Sequence, residues 1–198
     1  YGYSGNRVKG LVFCSSKQEA KALSDEFNKK GYKTTSLTGE DSQERREREV
    51  ERLVADSGDV LDYIFTVDIF NEGVDIPEVN QVVMLRPTQS AIVFIQQLGR
   101  GLRKSKDKDF VVIIDFIANY KNNFLIPVAL SGDNSYDKDT VRKFLSQGTR
   151  YLPGTSTIHF DEISKQRIYS AIDNVKLNTW IFVATEYSKL KNKLGRIP

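Results

Sequence analysis

The sequence predicts an α/β fold: a parallel β-sheet with flanking helices, followed by a mostly helical C-terminal extension. Three observations carry this. Strand-like apolar runs alternate with helix-period segments through the first 118 residues, the β-α-β-α rhythm of a parallel sheet covered on both faces. The first of those runs, Leu11, Val12 and Phe13, is continuously apolar, as in a buried strand. After Asp115 the rhythm stops and helical patterns follow.

The elements follow in order. Residues 8–14 read as the first strand. Ser16 and Glu19 form a Ser-x-x-Glu capping box, and Ala20, Leu23 and Phe27 recur at helical spacing until Gly31, a natural terminator. Residues 32–37 read as the second strand. Asp41 with Glu44 makes a second capping box, opening a highly charged helix whose core stripe is Val50, Leu53 and Val54. Residues 61–67 and 81–85 are strand-like, 90–102 helical, and 110–115 an apolar strand ending in a carboxylate. Residues 119–136 mix Asn, Gly, Ser and Pro as an irregular connector. Helical patterns return near 139–147, 161–175 and 176–193, with a turn-rich break at 151–157. The expected division is 1–118 for the α/β domain and 119–198 for a helical extension, the start of a further domain. The ends, Tyr1 without Met and a final Gly-Arg-Ile-Pro, read as cut rather than natural.

Composition narrows the function classes. With 198 residues, 39% hydrophobic and 28% charged, the chain reads as globular, and no apolar run approaches the length of a spanning helix. No charged-then-apolar opening marks a secretory signal. One Cys and one His exclude an internal disulfide and multi-cysteine or paired-histidine metal sites. Cys14 suits a reducing compartment, so the expectation is a cytoplasmic protein without a metal site of its own. Residues 1–118 carry 17 basic and 19 acidic side chains, whereas 119–198 carry 12 basic and 7 acidic. The basic surplus therefore sits in the extension, where it suits either a polyanion or an ordinary solvated surface.

In parallel sheets ligands bind beyond the carboxyl ends of the strands, so the loops after Cys14, Leu37, Val67, Leu85 and Asp115 are the places to inspect. Phe13-Cys14-Ser15-Ser16 sets short polar side chains and free amides at a helix N-terminus, suited to a phosphate. Taken alone it is more simply an N-cap. Residues 66–77 set acids, Gly73 and Pro77 at the ligand edge, and alone read as a polar connector. On the helix expected over 90–102, Gln96, Arg100 and Arg103 fall within roughly 60° of one another, opposite Ile95, Leu98 and Leu102. Paired guanidinium groups suit bidentate capture of phosphate oxygens.

Together, and in this order, the segments resemble motifs IV, V and VI of superfamily 2 helicases, found in the second RecA-like domain of the motor. Glu72-Gly73-Val74-Asp75-Ile76-Pro77 is similar to motif V, Gln96 through Arg103 to the Gln-x-x-Gly-Arg-x-x-Arg of motif VI, and Thr38-Gly39 to a small backbone-contacting motif between IV and V. The longer strings around Phe70–Pro77, Leu85–Ser90 and Phe94–Arg103 resemble bacterial helicases related to type III restriction enzyme motor subunits. Two positions depart from the pattern: Gln97 stands where motif VI often has Arg, and Val67 rather than Thr precedes Asp68, with Thr66 one place earlier.

The resemblance implies the C-terminal motor half of an ATP-dependent helicase or translocase acting on nucleic acid, with DNA the expected track. It implies Arg100 and Arg103 as catalytic arginine fingers and Gly73, Asp75 and Gln96 as nucleotide contacts. It gives Ser15, Ser16, Thr38, Gly39 and Thr66 to the nucleic-acid backbone. ATP with Mg would be held mainly by a preceding RecA-like domain, because this chain has no Gly-x-x-x-x-Gly-Lys-Ser/Thr loop and no Asp-Glu pair at a strand end. Two other readings remain: a non-hydrolysing α/β module for a phosphate-bearing ligand or protein partner, and a restriction-type translocase on duplex DNA.

Overall fold

A computed structural model describes residues 2–67, 76–86, 108–116, 127, 130, 137–147 and 157–174. The helices expected over 90–102 and 176–193, and most of the connector over 119–136, lie outside the described residues. The chain divides into two compact units, Tyr1–Tyr120 and Lys121–Pro198. No helix among the described residues is long and apolar enough to cross a membrane.

Among the described residues the first unit holds five parallel strands: β1 (Gly10–Phe13), β2 (Thr34–Leu37), β3 (Tyr63–Thr66), β4 (Gln81–Met84) and β5 (Val112–Asp115). Their order is β2-β3-β1-β4-β5. Every pair is in register, so Leu37, Thr66, Phe13, Met84 and Asp115 form one row at the carboxyl edge. The central strands are apolar on both faces, as a parallel sheet covered on both sides requires. Leu11, Phe13, Ile64, Val82 and Met84 are buried on one face, Val12 and Phe65 on the other. Each such side chain contributes roughly 1.5–3 kcal/mol relative to exposure.

Helix α1 (Lys17–Lys29) covers the face of Val12, Cys14 and Phe65 through Ala20, Leu23 and Phe27. It starts where the sequence places it: Ser16 Oγ accepts from Glu19 N–H at 3.1 Å. The other half of the expected capping box differs. Glu19 reaches back past Ser16, and its carboxylate accepts from Ser15 N–H at 2.6 Å. The helix ends at Gly31, whose φ of 91° is open to a residue without Cβ. There Gly31 N–H bonds Asn28 O and Tyr32 N–H bonds Phe27 O. The Tyr32 and Phe27 rings meet at 5.4 Å, completing the apolar contact of this helix stop. Asn28 then pairs its side-chain amide with both backbone groups of Thr34, covering the start of edge strand β2.

Helix α2 (Gln43–Val54) corrects two expectations. Its N-cap is Ser42, not Asp41: Ser42 Oγ accepts from Arg45 N–H at 3.2 Å. Asp41 instead turns its carboxylate to Thr38 N–H, since only the residue at the cap can reach the first-turn amides. The inward stripe is Glu49 and Leu53, with Val50 and Val54 half-buried. Glu49 tolerates that position through ion pairs to Arg48 and Arg52. At the far end, the last carbonyls of α2 are taken by cations from the start of β1. Arg7 donates to Leu53 O at 2.7 Å and Ala55 O at 3.0 Å, and Lys9 Nζ donates to Val54 O at 2.7 Å. Positive charge there also suits the helix dipole.

In the second unit, α3 (Lys138–Gln147) buries Val141, Phe144 and Leu145, and α4 (Glu162–Asn174) buries Ser164, Ile168 and Ile172. Asp137 and Asp161 cap them, accepting from Thr140 N–H and Ser164 N–H at 2.9 Å each. The two helices pack together, and Arg142 joins them by pairing with Asp139 and Asp173.

Candidate nucleic-acid interface

The strand order defines where the sheet opens. From β1 the chain runs toward β2, and from β4 toward β5. The connections therefore diverge between the carboxyl ends of β1 and β4, the position at which α/β sheets place ligands. Cys14, Ser15 and Ser16 leave the end of β1. Leu85 and Arg86 leave the end of β4, and their N–H groups both bond Phe13 O, at 2.9 and 3.2 Å.

Ser15 and Ser16 are exposed at this edge, at the N-terminus of α1. Beyond β3, the loop after β2 carries Thr38, half-buried, and Gly39, exposed. Thr38 donates from its N–H and its hydroxyl to Asp41 Oδ2, at 2.7 and 3.3 Å. Lys17, in the first turn of α1, forms an ion pair with Glu40. That pair joins the loops that follow β1 and β2, the two strands on either side of β3. Ser15, Ser16, Thr38 and Gly39 are thus brought to one edge. Thr66 shares the edge row but is fully buried, and its Oγ1 has no hydrogen-bond partner. Gly73, Asp75, Gln96, Arg100 and Arg103 lie outside the described residues.

Cys14 is not a reactive group here. Burial first, then the Glu19 charge, pushes its thiol up to about 12, so the thiolate is suppressed near neutrality. Among the described residues no group of three or more His, Cys, Asp or Glu could hold a metal ion.

One residue at this edge escaped the sequence reading. Arg45 pairs with Asp41, Arg48 with Glu49, and Arg52 with Glu49 and Asp59. Arg46 alone of the four α2 arginines has no carboxylate partner among the described residues. Its Nη2 donates to Gly39 O at 2.8 Å, and its buried Nε has no acceptor. The signal was present: Arg46, Glu49 and Leu53 recur at i, i+3 and i+7, which puts Arg46 on the core-facing stripe at the ligand end of the helix.

Residues 3–105 match the family model of the helicase conserved C-terminal domain. The chain belongs to that family. Among curated proteins it is 34% identical over 107 residues to IRC3 of Saccharomyces cerevisiae, named as a candidate ATP-dependent helicase, covering 54% of this chain and 15% of that protein. It is 25% identical over 108 residues to the ATP-dependent RNA helicase SrmB of Haemophilus influenzae, covering 54% of this chain and 24% of SrmB. The chain thus spans a quarter or less of the length of these relatives. Among solved structures, the C-terminal domain of the DEAD-box protein Dbp5 superposes with a TM-score of 0.51 at 17% identity, over 74% of this chain and 84% of that one. At that identity the likeness concerns the fold.

Proposed function

We propose that this chain is the second motor half of an ATP-dependent nucleic-acid helicase or translocase, and that the carboxyl edge of its sheet holds the strand through its phosphates. The observation that carries this reading is the meeting of Ser15, Ser16, Thr38, Gly39 and Arg46 at one edge in a helicase C-terminal domain. Hydroxyls, loop amides and a guanidinium with no carboxylate partner among the described residues suit backbone contacts, which position a strand without reading its sequence. Thr66 would join them only if its buried hydroxyl meets a partner when the strand is bound. DNA is the track we propose, with RNA as the competing outcome of the binding test.

Gly73, Asp75 and Gln96 are assigned to the nucleotide and Arg100 with Arg103 to its phosphates, as arginine fingers. ATP with Mg needs a glycine-rich cradle and a magnesium-binding acid pair, and this sequence contains neither. We therefore assign its main site to a preceding RecA-like domain, residues 1–118 to the second RecA-like domain and 119–198 to the start of a further one. The protein is proposed to be cytoplasmic.

The test is anisotropy of a labelled single-stranded oligonucleotide of about 20 residues, as DNA and as RNA, over a salt series. Affinity should fall steeply with salt. Arg46→Ala should weaken it several-fold, whereas Lys30→Ala, at the opposite edge of the sheet, should not. Salt-independent binding, or equal losses in both variants, rejects this edge as the track.

A further inference from the structure

The surface donors of the carboxyl edge are already held by acids of the chain itself. Glu19 Oε2 accepts from Ser15 N–H at 2.6 Å, and Glu40 is ion-paired with Lys17. The second contact is weakly held: the Lys17 and Glu40 side chains are 53% and 78% exposed. Surface pairs of this kind contribute little and are screened by salt. Elsewhere at this end of the sheet two buried donors, Thr66 Oγ1 and Arg46 Nε, have no acceptor. Thr66 is fully buried between Leu37 and Phe13, with its side chain on the sheet face opposite α1. Buried unsatisfied donors are rare in folded proteins, and each calls for a physical explanation. Carboxylates held on exposed donors at a strand-end edge can be displaced by an anion carrying several oxygens.

We propose that Glu40 and Glu19 are internal stand-ins for strand phosphates: they satisfy Lys17 and the Ser15 amide while the edge is empty, and a nucleic-acid phosphate binds by displacing them. This rests on the nucleic-acid reading of the edge given above. Lys17 then becomes a phosphate contact, and binding is an exchange of one anion for another. The net gain per contact is the difference between two charge-assisted bonds. The strand is held loosely, as a motor that must release and re-grip it requires. Asp41 has a different part. Its side chain is 13% exposed and braces Thr38 and Arg45, so it stays in place.

The experiment titrates a fluorescein-labelled oligothymidylate at low salt into the chain and into Glu40→Gln, Glu19→Gln, the double variant and Asp25→Asn. Glu40→Gln and Glu19→Gln should each tighten binding about 3-fold, within the range of a surface ion pair. The double variant should tighten it more than either. Asp25→Asn changes net charge equally but lies exposed on α1 and forms no salt bridge among the described residues, and should leave affinity nearly unchanged. Gln keeps the capping role of Glu19 and Glu40 is exposed, so melting temperatures should match. Affinity that is equal or lower in the Gln variants overturns the proposal, as does equal tightening in Asp25→Asn. Binding by the Gln variants beside a silent parent chain supports it. No binding by any of the proteins rejects the nucleic-acid reading itself.

Discussion

Arg7 shows how one side chain closes several backbone accounts. Its guanidinium donates to the carbonyls of Val8, Leu53, Ala55 and Leu61, and lies 3.9 Å from Asp62. Burial pulls its pKa down, while Asp62 and Asp56 oppose that shift. Arg7→Ala removes the side-chain donor to the Leu53 and Ala55 carbonyls at the end of α2, so unfolding in urea should show a loss on the order of 3 kcal/mol. Arg7→Lys should recover only part of it, because an ammonium cannot reach acceptors in several directions. Thr66 predicts the reverse sign. Its hydroxyl is buried without a partner. Thr66→Val should therefore raise stability, by about 1 kcal/mol. The same variant should weaken oligonucleotide binding if that hydroxyl meets the strand. A lower melting temperature would show instead that the hydroxyl is already satisfied.

At the scale of elements, the helix starts decide pH behaviour in the second unit. The Ser164 hydroxyl and then its N–H hold the Asp161 carboxylate below the usual range, and Thr140 N–H does the same for Asp137. A carboxylate with a lowered native pKa adds stability that is complete above its unfolded value, about pH 4. That stability is lost as pH falls through the native value. Acidification from about pH 5 to about pH 2 should thus lower the melting temperature of the helical signal, followed by circular dichroism. Asp161→Asn should flatten part of that slope while retaining a cap. Elements were also where sequence reading came closest. All five strands lie within the predicted runs; β1, β3, β4 and β5 are mostly apolar, whereas edge strand β2 is Thr-Thr-Ser-Leu. The second helix start was misread by one residue, since Asp41 and Ser42 are both good caps. Only the loop decided which of them turned toward Thr38.

At the scale of the whole molecule, the chain contains no phosphate-cradling loop. It should show no ATPase above background, and turnover abolished by Arg100→Ala in this chain alone would contradict the two-domain account. In the complete polypeptide, Arg100→Ala or Arg103→Ala should lower nucleic-acid-stimulated turnover on the order of 10³-fold or more. Melting temperature should barely move if these side chains face solvent. Near-normal steady-state turnover would remove them from the proposed role.

The family and fold class were legible in the sequence because they depend on local signals: apolar runs, caps, glycine stops and short motifs in a given order. The strand order β2-β3-β1-β4-β5 was not, since nothing in a strand names its neighbour. Pairing across the sheet set Thr66 between Leu37 and Phe13, and so turned a residue read as a surface contact into a buried one. The same long-range packing decided which charges at the edge are paired. Sequence shows four arginines and as many acids along α2; only the fold brings Asp41, Glu49 and Asp59 to Arg45, Arg48 and Arg52 and leaves Arg46 without a carboxylate among the described residues. Charge composition is local, but charge pairing depends on distances that tertiary contacts alone determine.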